Sequence, residues 1–238
     1  MADKNKQESP PRGLQPVDQP ESLKTIAYRS LHRALISGDL QPGSIYKEKD
    51  LAGMLNISRT PVREALLELS AKGLVSFLPR KGIQITQFEL RDLNESFELR
   101  KALELMAIEK AALKITQKDL DEINATVEKQ KESAKAGDQL AFLHYDRTFH
   151  ALLTEITDNR RLVSSLEAIR DVIQLMGAHA LAAPGRLEEV ITEHEGVVKA
   201  LAEKAPEEAR QKMTFHLEMS RKKARSILFP EGEGLEAF

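Results

Sequence analysis

The spacing of apolar residues changes character near Phe88, and this change restricts the chain to two differently built parts. Before that point the apolar segments are short and broken by turns. From Ser22, the residues Leu23, Ile26, Ala27, Leu31, Ala34 and Leu35 recur at three- and four-residue steps, which predicts an amphipathic helix ending at Gly38. Pro42-Gly43 marks a turn. A short helix follows, with Leu51, Ala52 and Leu55 facing inward, and Asn56-Ile57-Ser58 makes a tight connection. Ser58 is a good N-cap for a third helix that places Val62, Ala65, Leu66 and Leu69 on one face. Pro61 falls in its first turn, where a missing N–H costs little because those donors have no intrahelical partner.

Gly73 ends that helix, and two β-leaning runs, Leu74 to Leu78 and Ile83 to Thr86, flank Pro79-Arg80-Lys81-Gly82. Three helices and a hairpin over residues 22–86 predict a winged helix-turn-helix. After Phe88 the periodicity predicts long helices near 89–114, 117–136, 138–156, 159–180, 185–204 and 206–228. Gly137, Asp158-Asn159, Pro184-Gly185 and Pro206 punctuate them. The expected architecture is mostly α: a winged helix-turn-helix, then a six-helix antiparallel bundle over residues 89–229.

Residues 1–21 hold four of the ten prolines and few apolar groups, so they read as a disordered tail with no secretory signal; residues 230–238 read as a frayed end. No apolar run approaches the roughly 20 residues of a membrane span. The chain has no cysteine, which excludes disulfides and thiolate zinc sites and suits a reducing, cytoplasmic setting.

The formal charge of −2 conceals a split. Residues 22–88 carry ten Lys/Arg and five Asp/Glu, whereas residues 89–238 carry 22 and 28. A basic module joined to an acidic one suggests that only the first meets a polyanion. In a helix-turn-helix the start of the second helix reaches base edges in the major groove. Here that stretch is Ser58-Arg59-Thr60-Pro61-Val62-Arg63, and with Val62 committed to the core, Arg59, Thr60 and Arg63 face outward. An arginine fork can bond guanine O6 and N7 together. Ser58 and Lys49 suit phosphates, and Arg80 and Lys81 at the hairpin tip suit the adjacent minor groove or backbone. The competing reading makes Arg59 and Arg63 solvated helix charges, paired with Glu64 or Glu68; the order of elements around them favours DNA.

These residues also carry a resemblance. Ile36-Ser37-Gly38-Asp39-Leu40-Gln41-Pro42-Gly43, Leu51-Ala52, Ser58-Arg59-Thr60-Pro61-Val62-Arg63-Glu64-Ala65-Leu66 and Lys72-Gly73-Leu74-Val75 resemble the GntR family of bacterial regulators. The resemblance implies DNA contacts at Lys49, Ser58, Arg59, Thr60, Arg63 and the wing from Arg80 to Gly82. Tyr46 stands where that family usually has leucine, and Lys49 where arginine is common.

A second constellation lies in the bundle. Asp146 and His150 are four apart, hence on one helix face, together with Phe142, Phe149 and Leu153. His194 sits among Val190, Ile191, Val197 and Val198, and His216 beside Met213 and Leu217. Any one of these histidines alone reads as a satisfied core residue. Four inward ligand-type residues on three helices read either so or as a metal site, since each buried polar group left unpaired costs about 1–3 kcal/mol. Imidazole and carboxylate suit zinc, nickel, manganese or iron. His32, His144 and His179 lack such company and read as surface or packing residues.

Leu99-Arg100, Leu103-Glu104, Asp146-Arg147-Thr148-Phe149-His150, Asn159, Glu193-His194, Val197-Val198, Ala200-Leu201 and Met213-Thr214-Phe215-His216-Leu217 resemble the FCD ligand-binding domain, in its six-helix, VanR-like branch. The resemblance implies one divalent metal ion on Asp146, His150, His194 and His216 and an effector contact from Arg100. Open positions on such an ion suit a small organic acid as effector, and because a single winged helix buries little DNA surface the expected state is a homodimer on an inverted-repeat operator. A metal-dependent hydrolase is the competing reading, but there is no His-Glu-x-x-His run, adjacent His-Asp pair or second-metal carboxylate cluster. The attached DNA reader favours a regulator over an enzyme.

Overall fold

Ser22 begins the first helix by accepting from the Thr25 N–H at 3.1 Å, as an N-cap should. The computed structural model describes residues 21–181 and 183–230; the tails expected at 1–21 and 230–238 lie almost wholly outside the described residues, as does the side chain of His179. The elements that follow are α1 (Leu23–Ile36), β1 (Ile45–Tyr46), α2 (Glu48–Met54), α3 (Arg59–Ala71), β2 (Val75–Leu78) and β3 (Gly82–Ile85). One apolar core joins them through Ala27, Leu31, Leu51, Val62, Leu66, Leu69 and Ile83. Leu23 and Ile26 depart from their expected inward position, at 51% and 39% exposure, because the core reaches α1 only from Ala27 onward.

The expected hairpin is β2–β3, with Val75 opposite Ile85 and Leu78 opposite Gly82. The structure adds β1 as a third antiparallel strand on the other side of β3, giving the order β1-β3-β2. Two residues are too few to show an alternating pattern, so this strand is not visible in the sequence. Gly82 is required where β1 meets the wing: its φ is 131°, and a Cβ there would stand 2.3 Å from the Tyr46 carbonyl oxygen.

The remaining helices are α4 (Leu90–Lys114), α5 (Gln117–Ala136), α6 (Gln139–Glu155), α7 (Arg160–Leu181), α8 (Arg186–Ala202) and α9 (Pro206–Leu228). Their ends follow local chemistry. Thr116 and Asp119 form a reciprocal capping box at α5, Gly137 closes it in the left-handed conformation, and Asp138 accepts from the Ala141 N–H at 2.9 Å. Ile108, Ile123, Phe142, Phe149, Val197 and Met213 form a core shared by α4, α5, α6, α8 and α9. Helix α7 is apolar on several sides because it serves several neighbours. Ile173 and Met176 pack with Phe97 and Ala224, and Leu162 and Leu166 pack with Ala107. Leu175 and Ala178, with Leu143 of α6, join the core of the winged unit.

Candidate metal centre and nucleic-acid interface

The four-residue step from Asp146 to His150 on α6 meets His194 of α8 and His216 of α9, and one ligand atom from each lies within 4.8 Å of the others. His194 is wholly buried, His216 and His150 nearly so, and Asp146 is half-buried at the edge. Phe149 stacks on His194 with ring centroids 3.9 Å apart, which fixes the plane of that imidazole.

Each ring is oriented by a further side chain. His194 Nδ1 donates to Gln130 Oε1 at 2.9 Å, leaving a bare lone pair on Nε2, which is buried with no hydrogen-bond partner and lies 3.8 Å from Asp146 Oδ1. His216 Nδ1 donates to Glu193 Oε2 at 2.7 Å. His150 Nε2 accepts from Arg100 Nη2 at 2.9 Å, since a guanidinium can only donate. Its Nδ1 is 2.7 Å from Glu104 Oε2, close but without hydrogen-bond alignment. Burial, reinforced by the neighbouring histidines and Arg100, pushes His194 and His216 well below the usual imidazole range. Neutral rings are the form that binds metal. Burial alone would raise the Glu104 carboxyl, but Arg100 and His150 beside it hold it well below its usual range.

A cavity of about 720 Å³, counting its open mouth, adjoins this cluster, and Asp146, His150 and His216 form part of its wall. Arg100 also lines it, engaged with Glu104 at 2.7 Å as well as with His150.

In the winged unit, Lys49, Ser58, Arg59, Thr60, Arg63, Arg80 and Lys81 are all exposed, and Gly82 half-buried. Ser58 occupies the N-cap position of α3, but its hydroxyl makes no capping bond. The start of α3 therefore presents that hydroxyl together with first-turn N–H groups, the arrangement that receives phosphate. Arg63 pairs with Glu48 at 3.0 Å rather than with Glu64 or Glu68, and Glu68 pairs with Lys24. Arg80, at φ 63°, turns the wing tip.

Residues 23–85 match the family of bacterial regulatory proteins named gntR, and residues 95–219 match the FCD domain. The chain belongs to the GntR family. It is a DNA-binding transcriptional regulator with an FCD domain, not an enzyme. It is 28% identical to the uncharacterized HTH-type transcriptional regulator YdhC of Bacillus subtilis, over 84% of this chain and 90% of that one. It is 32% identical to a probable D-xylose utilization operon transcriptional repressor of Paenarthrobacter nicotinovorans, over 77% and 80%. Among solved structures it is similar to McbR/YncC of Escherichia coli, with TM-score 0.75, 28% identity, and 87% and 99% coverage.

In this GntR regulator the structure brings together all four residues that the sequence placed in one cluster. It also reveals participants that the sequence reading passed over. Gln130 had a legible signal: it follows Ile123 and Val127 on the buried face of α5, a polar group at a core position. So did Asp171, which precedes Leu175 and Ala178 on the α7 face turned to the winged unit. Asp171 is 1% exposed and carries a junction between the units. It accepts from Lys72 at 2.7 Å and from Tyr28 at 3.4 Å, pairs with Arg147 of α6, and has His32 of α1 at 3.6 Å.

Proposed function

We propose that this regulator holds one divalent ion on Asp146, His150, His194 and His216, and that a small organic acid bound beside the ion sets its affinity for DNA. The observation that carries the reading is the wholly buried, unpartnered Nε2 of His194 within a four-ligand cluster on a cavity wall. A buried polar atom with no partner costs about 1–3 kcal/mol, and an ion removes that cost. Neutral imidazoles held through Nδ1 by Gln130 and Glu193 fit a metal of the zinc, nickel, manganese or iron class. When bound, such an ion offers open positions to a ligand carboxylate. Were the His150 lone pair engaged by an ion, Arg100 Nη2 would be released from it and could donate to the same ligand.

Residues 22–86 form the DNA-reading unit in this proposal, and residues 89–229 the sensor. The start of α3 enters the major groove, with Arg59, Thr60 and Arg63 at base edges, Ser58 and Lys49 at phosphates, and Arg80, Lys81 and Gly82 at the wing contact. A homodimer on an inverted repeat follows from the outer face of α4. Leu99, Met106 and Leu113 recur there at seven-residue steps, exposed by 46%, 37% and 73%, as a helix awaiting a partner helix would present them. Ligand reaches DNA through Asp171, because Arg147 lines the cavity while bonding the carboxylate that also holds Lys72. The regulator acts as a repressor, and effector releases it from DNA.

The test is operator affinity on duplexes selected from a randomised pool, with metal-loaded wild type and His194→Ala, each with and without an acid found by thermal-shift screening. D-xylose belongs in that screen as the neutral alternative. A ligand coupling of about 1–3 kcal/mol appears as a 5–150-fold change in wild type and vanishes in the variant. Equal affinity in all four measurements, with ligand binding confirmed for wild type, removes the proposal.

A further inference from the structure

Four arginines line the cavity beside the candidate metal centre: Arg100, Arg147, Arg170 and Arg186. Three are answered by carboxylates of the protein. Arg100 bonds Glu104 at 2.7 Å, Arg147 bonds Asp171, and Arg186 bonds Glu193 through both nitrogens at 2.6 and 3.0 Å. Arg170, on α7 next to Asp171, is half-buried and has no side-chain hydrogen bond or ion pair among the described residues. Burial disfavours its charge, and Arg147 and Arg100 nearby add to that effect against the pull of Glu104. A guanidinium does not give up its proton in a protein, so it stays cationic here.

Among the described residues, Asp146 and Arg170 are the charged groups on the cavity wall that stand outside an Arg–carboxylate pair. A divalent ion, if held at the cluster, would outweigh Asp146 and leave positive charge at that end as well as at Arg170. A monocarboxylate can answer only one of the two ends.

We propose that Arg170 anchors a second acidic group, so that the effector is a small dicarboxylate spanning the metal centre and α7. This rests on the metal and effector reading above. A fork of N–H donors with no acceptor among the described residues is suited to bidentate carboxylate capture, and it lies in the same cavity wall as Asp146 and His150. The position also assigns a role to α7: consecutive residues hold the ligand (Arg170) and the junction with the winged unit (Asp171).

The test is calorimetric titration and thermal shift of the full zinc-loaded chain with acetate, malonate, succinate and glutarate, in wild type, Arg170→Gln and Arg170→Lys. The best diacid should bind wild type at least about tenfold tighter than acetate, as one added charge-assisted contact gives. Arg170→Gln should reduce the diacid to the level of acetate and leave acetate unchanged, and Arg170→Lys should restore part of the difference. An unchanged diacid affinity in Arg170→Gln, or equal acetate and diacid affinities in wild type, overturns the role of Arg170 while leaving acid binding at the metal intact. Failure of wild type to bind any of the four acids removes the underlying effector reading, and this inference with it.

Discussion

Lys72 and Asp171 bond at 2.7 Å, and that bond joins the C-terminal end of α3 to the middle of α7. Lys72 is the C-cap residue of the helix that carries Arg59 and Arg63, so a displacement of α7 acts on the base of the DNA-reading helix. Tyr28 completes the junction: Lys72 donates to its hydroxyl at 2.6 Å, and the ammonium lies 4.7 Å from the ring centroid. With Arg147 on the cavity side of the same carboxylate, one buried acid is shared by sensor and reader.

Asp171→Asn should therefore lower stability by about 1–3 kcal/mol, because it removes the buried partner shared by Lys72 and Arg147, which are themselves partly exposed. The pH dependence has a definite sign. Burial acts to raise the Asp171 carboxyl, but bonds from His32, Lys72 and Arg147 outweigh it and hold its pKa far below the usual range. The stabilisation is thus fully present above the unfolded value near 3.9 and is lost as pH falls toward the folded value. Chemical denaturation from pH 7 to 3 should show the gap between wild type and Asp171→Asn closing only below about pH 4. A gap that stays constant over that interval contradicts the assignment.

Removing metal should be felt as lost stability. Protein purified without chelator should carry about one ion per chain, and stripping it should lower Tm by several degrees through loss of ligand linkage. Gln130→Leu removes the acceptor for His194 Nδ1 without touching a ligand atom, so it should weaken metal affinity about 10–100-fold. Elemental analysis and metal-competition titration check both outcomes; metal content unaffected by His194→Ala refutes the site.

On DNA, Arg63→Ala and Lys49→Ala should fail differently. Loss of a base-reading fork costs about 1–3 kcal/mol and relaxes specificity at one position. Part of that is offset because Arg63 must leave Glu48, its partner at 3.0 Å, to reach a base. Loss of a phosphate contact weakens all sequences alike and reduces the salt slope by about one. Binding measured across salt concentrations on matched and mismatched duplexes separates the two.

Gly82→Ala should disturb the wing more than any substitution at its exposed tip. The new Cβ meets the Tyr46 carbonyl at 2.3 Å and demands a φ that alanine avoids, so β1 must separate from β3 or the strand must bend. A loss of about 1–3 kcal/mol is expected, with weaker DNA binding even where the fold survives. Unchanged Tm and operator affinity would show that β1 yields freely.

The sequence by itself determined the order of the helices and the wing hairpin, and the four side chains of the candidate metal cluster. Helical periodicity of 3.6 places Asp146 and His150 on one face, and apolar neighbours commit His194 and His216 to the interior, so burial direction is a local property. The paired arginines of α3 were legible for the converse reason, since Val62, Ala65 and Leu66 claim the opposite face. Partnership between elements is not local. Whether Arg63 meets Glu48 or Glu64, whether Arg100 spends its donors on Glu104 and His150, and whether β1 pairs with the wing depend on which surfaces meet once the helices pack. The same holds for Arg170 and Asp171, adjacent in the chain and 100° apart around one helix. Only the packed structure places one on the cavity wall and the other against Lys72, because both surroundings are built from residues that lie far away in sequence.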